Sequence, residues 1–483
     1  MANLIKVLFF ILMTNLAFGQ IKFYRLYSDN GVDKGEGIVQ LEDSSYVVTG
    51  SSSSFWGGAS QAFLMKIDSL GNKIWSNQYG GTDFESSRRV LYKKNVGFYM
   101  CGYTSSFGNG GFDFYLAKTD ENGTLEWEKT IGGTGWEKVY DAVMTKDTGA
   151  ILVGETSSFP ENNKNIYIVR TDKDGDTLWT KTIGGIGEDY ATSITALNDS
   201  LYFLTGAYYN EDSLMTKSWA AKIQDNGRVF WEKTYGVNGN SWFNSAAHDG
   251  NLMRCVGGAN LGGDNVNLYN SIVDTGGGFW GEYIFPQAEE HEFYQIVNYN
   301  NNAGFYSTTL SDDAGSFPIG ADLVIDHFSI GFGFINSFGL SHDKDDIGNQ
   351  IISTNDGSAI AVGYTTGVIS GGNEIFVCKI GPNSDYPHVV DDLQSGNLVT
   401  IIEEEIDDDI LVYPNPSQSK ITVQTSNPVF NEVIVFDLNG EVVLENEFSF
   451  QMEIDVSFLQ NGYYFLEIKG EDAVGRRKLI IQH

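Results

Sequence analysis

The sequence has few cysteines, few prolines and few positive charges, and each shortage narrows the class of protein. Its 483 residues contain an odd set of three widely separated cysteines, which excludes a disulfide-stapled scaffold. We expect Cys101, Cys255 and Cys378 to be buried free thiols in strands. Only 30 Lys and Arg residues face 63 Asp and Glu residues, so the formal net charge is −33. A surface of that sign repels nucleic acid and anionic lipid, and neither is an expected partner.

Long apolar runs are also lacking, apart from a short one near the N-terminus. Lys6 precedes the apolar residues 7–12, and the small residues Ala17 and Gly19 flank Phe18 at a signal-peptidase site. This order is typical of a secretory signal peptide, so we expect residues 1–19 to be removed. The run is too short to span a bilayer, and we expect no transmembrane segment in the mature chain. No cysteine follows the cleavage site, which argues against a lipoprotein anchor.

Glycine and aromatic residues are abundant, and tryptophan recurs at a fixed spacing. The chain contains 56 Gly, 31 Phe, 25 Tyr and 9 Trp but only 8 Pro, a composition typical of short strands joined by tight turns. The members of the series 52 residues apart are Trp75, Trp127, Trp179 and Trp231. Extended at both ends with a small slip in phase, the series also takes in Phe23, Trp280 and Phe334. The sequence therefore contains seven units.

Each unit has room for four strands, which the unit at Trp127 illustrates. Its strands are predicted at 127–131, 138–144, 150–154 and 166–170, with Gly, Asp and Asn in the turns. A period near 50 residues with four strands per unit is typical of a propeller blade. We predict an all-β fold with a seven-bladed β-propeller over residues 20–381. The N-terminal strand at Phe23 would complete the last blade and close the ring, which removes open sheet edges.

The repeat ends before the C-terminus, and two different segments follow. Residues 382–410 contain Pro382, Pro387 and acidic runs, which indicate a solvated, extended linker. A calcium site in this acidic segment is the alternative. Residues 411–483 consist of short alternating segments that predict a small antiparallel β-sandwich.

The C-terminal segment carries four landmarks in a fixed order. They are Tyr413-Pro414-Asn415-Pro416, the turn ending at Gly440, the Gly462-Tyr463 segment, and the terminal strand with Lys478. On these residues the segment resembles the type A C-terminal sorting domain of type IX secretion. The resemblance implies a Gram-negative host, the secretion machinery as a partner, export to the cell surface and removal of the domain there. An accessory sandwich is the alternative.

The repeat of residues 20–381 likewise resembles uncharacterised bacterial propeller repeats found in secreted cargo. That resemblance rests on the Gly-Gly-x-x-x-x-Glu segment and on the Lys-Thr-Asp-x-x-Gly-x-x-x-Trp segment. It implies a fold and no reaction.

Aligning the seven units puts an acidic residue at the start of the innermost strand in six of them. These ring acids are Asp33, Glu85, Glu137, Asp189, Glu292 and Asp346, with Ser241 in the remaining unit. A carboxylate ring at the mouth of the central channel would bind a cation or a polar ligand. The alternative, which we favour, is that each acid caps backbone N–H groups or pairs with a cation. The candidate cations share one position of the third strand from the channel: Lys66, Lys118, Arg170, Lys222 and Lys379.

Aromatic residues in the loops on the same face are further ligand candidates. Phe55, Phe107 and Phe159 lie 52 residues apart, and this repetition favours packing between blades. Trp56 has no counterpart in other units, which makes it the better ligand candidate. Aromatic rings beside hydroxyls and carboxylates suit carbohydrate binding.

No catalytic motif is found: His-Glu-x-x-His, Gly-x-Ser-x-Gly and zinc-spaced cysteine pairs are missing. We predict no cofactor and no metal, with calcium as one alternative and a loose cluster of His291, His327 and His342 as another. We expect a secreted or cell-surface binding or adhesion propeller with a glycan or protein ligand. The alternatives are a polysaccharide-degrading enzyme that uses ring carboxylates, favoured by the irregular units at 241–338, and a structural surface protein.

Overall fold

The fold comes from a computed structural model of the chain, which divides into two compact units, Met1–Asn397 and Leu398–His483. The predicted signal peptide and the predicted linker lie outside the residues that the structure describes. The described residues are 21–27, 31–53, 60–159, 161–262, 266–285, 291–299, 304–311, 322–329, 334–340, 345–366, 372–381, 411–413, 417, 419–425, 430–436, 442–447, 449–459, 462–470 and 474–481.

The first unit consists of seven four-stranded antiparallel sheets, the blades. The innermost strands are β2 (Asp33–Gln40), β6 (Glu85–Lys93), β10 (Glu137–Met144), β14 (Tyr190–Asn198), β18 (Asn240–Asp249), β22 (His291–Tyr299) and β26 (Asp346–Ser353). The second strands are β3 (Tyr46–Ser52), β7 (Gly97–Thr104), β11 (Ala150–Ser158), β15 (Leu201–Asn210), β19 (Leu252–Asn260), β23 (Gly304–Ser311) and β27 (Ala359–Thr366).

Two further strands complete each blade. The third strands are β4 (Gln61–Ile67), β8 (Asp113–Thr119), β12 (Glu161–Thr171), β16 (Met215–Gln224), β20 (Asn267–Asp274), β24 (Asp322–Ser329) and β28 (Asn373–Ile380). The outer strands are β5 (Lys73–Tyr79), β9 (Leu125–Ile131), β13 (Thr177–Ile183), β17 (Val229–Tyr235), β21 (Phe279–Phe285), β25 (Phe334–Leu340) and, in blade 7, β1 (Ile21–Tyr27). Blade 1 begins at β2.

These sheets confirm the predicted seven-bladed propeller and its closure by the N-terminal strand. β1 pairs antiparallel with β28, where Tyr24 faces Cys378 and Phe23 faces Lys379. Burial follows the position of a strand in its blade. Every residue of β8 is buried because the neighbouring blades cover both faces of the sheet, whereas β9 at the edge alternates between exposed and half-buried residues.

The repeated tryptophans lock each blade to the next one. The turn before β9 has Gly123 at a φ of 79°, and a Cβ there would lie 2.9 Å from the Trp75 ring of the preceding blade. Gly175 has the same relation to Trp127, and Gly71 to Phe23. Only glycine combines this backbone conformation with so close an approach. The repeated tryptophans therefore pack against the Asp-x-x-Gly turns of the next blade, so these two sequence repeats arise from the same contact.

The last two members of the aromatic series are placed differently from the prediction. In blade 1 Lys66 faces Trp75, and the corresponding pair in blade 5 is Ile272 with Gly281. Trp280 is instead the bulged residue of β21, 68% exposed, and its indole N–H donates to Asp274 Oδ2 at 2.9 Å. In blade 6 the position belongs to Asn336 opposite His327. The predicted phase was wrong by one residue in blade 5 and two in blade 6.

The second unit contains two sheets around one apolar core. One sheet has the order β29 (Leu411–Tyr413), β30 (Lys420–Gln424), β33 (Gln451–Asp455). The other has the order β32 (Val442–Glu447), β31 (Phe430–Phe436), β34 (Gly462–Gly470), β35 (Val474–Ile481). Ile421 and Val423 from the first sheet pack with Val433, Leu466 and Leu479 from the second. This arrangement confirms the small β-sandwich.

Two expectations about the whole chain can be compared with the described residues. Cys101, Cys255 and Cys378 are buried free thiols, as predicted, and burial raises their pKa values, that of Cys378 to about 12. Among the described residues, no helix is long and apolar enough to cross a bilayer.

Candidate functional site

The ring acids are buried, and their carboxylates bind the backbone of the propeller itself. Glu137 is fully buried, and its Oε2 accepts the Gly133 N–H at 2.8 Å. Its Oε1 accepts the hydroxyls of Thr156 at 2.6 Å and Ser158 at 2.7 Å. Gly133 belongs to the turn that enters from the preceding blade, whereas the two hydroxyls belong to the end of β11. The Glu137 carboxylate thus joins the turn that leads into blade 3 to β11, the second strand of that blade.

The same arrangement occurs in neighbouring blades. Glu85 accepts the Gly81 N–H at 3.0 Å and the Thr104 hydroxyl at 2.7 Å. Asp189 accepts the N–H groups of Gly185 at 2.8 Å and Tyr209 at 2.6 Å, and burial raises its pKa. The residues at the same position in three other blades are also buried: Asp33, Ser241 and Asp346. Glu292 lies in β22, and its side chain is outside the described residues.

The candidate cations bind other carboxylates. Arg170 contacts Asp147 at 2.6 Å and Asp225 at 2.9 Å. The other pairs are Lys66 with Asp43 at 3.5 Å, Lys118 with Glu126, and Lys379 with Asp356 at 3.0 Å, while Lys222 lies over the Phe230 ring. These cations are at the end of the third strand, opposite to the end that carries the ring acids. Among the described ion pairs, none joins a ring acid to this set.

A feature that the sequence analysis missed is a β-bulge in every innermost strand. The bulged residues are Glu36, Arg88, Tyr140, Thr192, Asn244, Tyr294 and Asn349. The following residue reaches the next blade: Asp141 accepts the Ile194 N–H at 2.9 Å, Gln295 that of Ile351 at 2.8 Å, and Gln350 that of Ile38 at 2.6 Å. In blades 3, 6 and 7 the residue after the bulge therefore points a polar side chain at the innermost strand of the next blade.

The bulges of blades 1 to 3 bring charged and aromatic groups together. Arg88 donates to Glu36 Oε2 at 2.5 Å, and its guanidinium lies 6.0 Å from the centre of the Tyr140 ring. Burial raises the pKa values of Tyr103 and Tyr364, and the charge of Arg88 acts against that rise in both. Arg88 is therefore close to tyrosines of blades 2, 3 and 7.

Four aromatic residues beside this arginine form a continuous cluster, here called the aromatic patch: Phe84, Tyr103, Phe112 and Trp136. The ring centres of Phe84 and Tyr103 are 6.1 Å apart, those of Tyr103 and Phe112 5.1 Å, and those of Phe112 and Trp136 5.0 Å. Trp136 is 54% exposed and Phe84 38% exposed. All four lie at the end of blades 2 and 3 where the innermost strands begin.

Lysine side chains lie against the rings on this face. Lys138 Nζ is 5.7, 5.4 and 5.6 Å from the ring centres of Tyr103, Phe112 and Trp136. Lys34 Nζ is 4.6 Å from the Tyr364 ring centre. Both contacts join a lysine of an innermost strand to a tyrosine of the preceding blade, because Tyr103 and Tyr364 have the same register in β7 and β27.

The aromatic patch is not a repeated feature of the blades. Fifty-two residues before Tyr103 and Phe112 are Ser51 and Ser60, and 52 residues after them are Glu155 and Lys164. Only Phe84 has an aromatic counterpart in the next blade, which is Trp136 itself. Spacing along the sequence could not reveal the patch, since its members come from four strand ends that meet only in the fold.

The predicted aromatic candidates lie in nearby loops. Phe107 and Phe159 are 37% and 44% exposed, and each covers the glycine turn that leads into its own blade. A Cβ on Gly81 would lie 3.1 Å from Phe107 Cζ, and one on Gly133 would lie 2.9 Å from Phe159 Cζ. Phe55 and Trp56 lie outside the described residues.

A pair of carboxyl groups lies directly behind the patch. Asp113 follows Phe112, and Glu137 follows Trp136. A Cβ on Gly132 would lie 2.0 Å from Asp113 Oδ1 and 2.4 Å from Glu137 Oε2, so the two carboxyls flank this glycine. Burial and the charge of Glu137 raise the pKa of Asp113 to about 6. In blade 3 the residue that corresponds to Asp113 is Asn165, which cannot carry a negative charge.

Metal ligands are not concentrated anywhere in the part of the chain that the structure describes. Within those ranges, no three His, Cys, Asp or Glu side chains are grouped closely enough to hold a metal ion.

The C-terminal unit matches a known family. Residues 411–482 match the model of the secretion system C-terminal sorting domain, which confirms the resemblance seen in the sequence. The chain is therefore type IX secretion cargo, delivered to the outer surface of a Gram-negative bacterium. Tyr413 is 45% exposed and donates to Gln424 at 3.1 Å, and Tyr463 and Lys478 lie in β34 and β35. Residues 414–416 and Gly440 lie outside the described residues.

Solved structures with a similar fold are distant in sequence. PorZ, a surface component of the type IX secretion system of Porphyromonas gingivalis, has 10% identity and a TM-score of 0.45 over 94% of this chain and 60% of PorZ. Sqt1 of Chaetomium thermophilum has 10% identity and a TM-score of 0.42, covering 75% of this chain and 100% of Sqt1. The β-propeller domain of the trilobed protease of Pyrococcus furiosus has 10% identity and a TM-score of 0.42, covering 74% and 94%. The chain thus spans about 60% of the length of PorZ. No curated protein is significantly similar to it.

Proposed function

We propose that the propeller is a surface-displayed binding module that holds a glycan on the aromatic patch. The observation that carries the proposal is an exposed aromatic cluster that breaks the blade repeat. Trp136 and Phe84 offer open ring faces, on which the apolar face of a sugar stacks. The Lys138 ammonium lies 5.6 Å from the centre of the Trp136 ring and provides donors for sugar oxygens.

Binding fits the site better than hydrolysis does. Both oxygens of Glu137 and Glu85 accept hydrogen bonds from the propeller, so these carboxylates serve the fold. Adhesion to a polysaccharide surface would follow from display of such a module by the C-terminal sorting domain.

One observation favours the alternative of a polysaccharide-degrading enzyme. The Asp113–Glu137 pair beside the patch has one carboxyl with a pKa of about 6, a range suited to a general acid. However, Asp113 is 2% exposed and Glu137 fully buried, so neither is open to a glycosidic bond. The pair therefore ranks second.

The test is binding of the mature full-length chain to a broad glycan array, with and without calcium. We expect a specific glycan signal that falls at least about tenfold in Trp136→Ala, because ring stacking is lost. Phe230→Ala is the matched control. Phe230 is an aromatic residue of similar exposure, 45%, and it lies beside Lys222 and Arg228 on another blade. Trp56→Ala tests the candidate from the sequence.

Two outcomes would contradict the proposal. The first is no binding to any glycan, which would favour a protein ligand or a structural role. The second is an equal loss of binding in Trp136→Ala and Phe230→Ala.

A further inference from the structure

We propose that the ligand is an acidic polysaccharide, whose carboxylate or sulfate groups are bound by Lys34 and Lys138 at the channel mouth. This inference rests on the proposed function and adds the chemical class of the glycan. It follows from the placement of positive charge in a chain that has little of it.

Ten cations of the propeller, besides Arg88 with Glu36, are neutralised by neighbouring carboxylates. Ion pairs occupy Lys66, Arg89, Lys94, Lys118, Lys129, Lys146, Lys164, Arg170, Lys173 and Lys379. Lys34 and Lys138 differ: in the described part of the chain, no carboxylate oxygen lies within 4.0 Å of either ammonium. In a protein with a formal charge of −33, these two lysines place positive charge on the face that carries the aromatic patch.

The aromatic contacts leave both ammonium groups able to donate hydrogen bonds. A ring face attracts a lysine by its quadrupole but accepts no conventional hydrogen bond. Within the described residues, neither Lys34 nor Lys138 donates a hydrogen bond to a protein atom. Each nitrogen therefore keeps three N–H donors for a ligand, and the ring limits the positions it can take. An anionic oxygen is the partner that such donors bind most strongly.

Arg88 links the two lysines into one arc of the channel mouth. It is paired with Glu36 of blade 1 at 2.5 Å and lies 6.0 Å from the Tyr140 ring centre of blade 3, between the blades that carry Lys34 and Lys138. The arc covers blades 1 to 3 and adjoins the aromatic patch. A polymer with sugar rings and acidic groups matches both features, because its rings can stack while its anions reach the cations.

The nearby carboxylates are engaged with other groups. Glu36 is bound to Arg88 at 2.5 Å. Glu155 faces Lys138 across the β10–β11 pair, but burial raises its pKa, and it shares a hydrogen bond with Tyr140. Lys164 acts on its charge more strongly than Lys138 does. Neither Glu36 nor Glu155 has a carboxylate oxygen within 4.0 Å of the Lys34 or Lys138 ammonium.

The experiment compares polymers that differ only in charge. The mature full-length chain is titrated with polygalacturonate and with its fully methyl-esterified form, and with dextran sulfate and dextran, at physiological salt. That salt concentration limits long-range repulsion from the acidic protein to about 8 Å. We expect at least about tenfold tighter binding to an acidic polymer than to its neutral counterpart. The two pairs of polymers distinguish carboxylate from sulfate.

Single lysine substitutions test which residues cause the preference for acidic polymers. Lys34→Met and Lys138→Met each keep the apolar stem, and we expect each to weaken acidic-polymer binding about three- to tenfold. Lys138→Arg should restore binding. Lys222→Met is the matched control, because Lys222 also lies over an aromatic ring but on the outer edge of blade 4. Unfolding midpoints of all variants separate loss of binding from loss of fold.

The outcomes separate this inference from the proposed function. If acidic and neutral polymers bind equally, and the Lys→Met variants bind as wild type while Trp136→Ala does not, the inference is overturned and the glycan site stands. If no polysaccharide binds, both are overturned. Preference for the acidic polymer, lost in the lysine variants and kept in Lys222→Met, supports both.

Discussion

Trp136 and Glu137 are neighbours in the chain, and Phe84 and Glu85 repeat the pair one blade earlier. The aromatic member of each pair is exposed to solvent, whereas the acidic member is fully buried. The acids recur in nearly every blade and bind the turn at the blade entrance. The aromatic residues occur at this position in only two blades, where both pack against Phe112 and keep part of their surface exposed. The feature found in most blades holds the ring of blades together, and the feature found in only two blades remains exposed at the proposed binding site.

The bulges of the innermost strands give a second example of the same division. The residue after each bulge contacts the next blade in the same way in blades 3, 6 and 7, through Asp141, Gln295 and Gln350. The bulged residue itself differs from blade to blade. In blades 1 and 2 it is charged, Glu36 and Arg88, and it belongs to the proposed binding face. The β-bulge thus places a residue that contacts the next blade directly beside a residue that, in blades 1 and 2, belongs to the proposed binding face.

The largest expected effect comes from removing a ring acid. Glu137→Ala leaves the Gly133 N–H and the hydroxyls of Thr156 and Ser158 without their acceptor in a buried place. We expect the free energy of unfolding to fall by about 3 kcal/mol, as measured by urea denaturation. The control is Glu42→Ala, whose exposed ion pair with Lys94 contributes less than about 1 kcal/mol. Equal effects of the two substitutions would contradict a structural role for the ring.

A smaller effect, dependent on pH, is expected at the neighbouring carboxyl. The pKa of Asp113 is raised to about 6 in the folded protein, above its value in the unfolded chain. The folded state therefore binds this proton more tightly, and the stability that it provides is lost as pH rises from about 4 to 6. Asp113→Asn cannot ionise. We expect it to be about 1 to 2 kcal/mol more stable than wild type near pH 7.5 and nearly equal near pH 4.

Denaturation midpoints at the two pH values provide the measurement for Asp113. The conservative control is Asp120→Asn, where the carboxyl caps an exposed turn and hydrogen bonds lower its pKa. That variant should lose stability near neutral pH. A gain from Asp113→Asn that is the same at both pH values would rule out titration as its cause.

The smallest effect on stability is expected at the exposed member of the pair. Trp136→Ala removes a ring that is 54% exposed, so the free energy of unfolding should change by less than about 1 kcal/mol. Binding to the glycan found on the array should nevertheless be lost. Calorimetric titration and urea denaturation on the same sample check both parts. A large loss of stability would show that the aromatic patch is part of the core.

The sequence predicted the parts of the fold that depend on regular spacing. Seven units, the closing strand at Phe23 and the C-terminal sandwich all follow from periodic residues and ordered motifs. The tryptophan phase was wrong in blades 5 and 6. The outer strands of blades 1 to 6 have a bulge at the same register, and Trp280 occupies in blade 5 the bulged position that Ile74 has in blade 1, which leaves Gly281 in the expected position. Register at a bulge depends on backbone pairing, which the identity of a single residue does not specify.

The candidate site was predictable only in part. The position of the ring acids could be read from the alignment of units, and the structure describes how five of them are buried. The aromatic patch could not be read, because Tyr103 and Phe112 from blade 2 meet Trp136 and Lys138 from blade 3 across a blade boundary. No spacing within a repeat records such a contact.

Closure of the ring by β1 also affects the order of folding. Phe23 and Lys379 pair across almost the entire length of the propeller, so this contact has a very long sequence separation. The entropy of closing so long a loop makes the pairing a late event, formed after the local hairpins of the other blades. Until then β28 presents an unpaired edge that can recruit another chain. The last blade therefore loses this open edge only when β1 and β28, the strands at the two ends of the propeller sequence, have both formed.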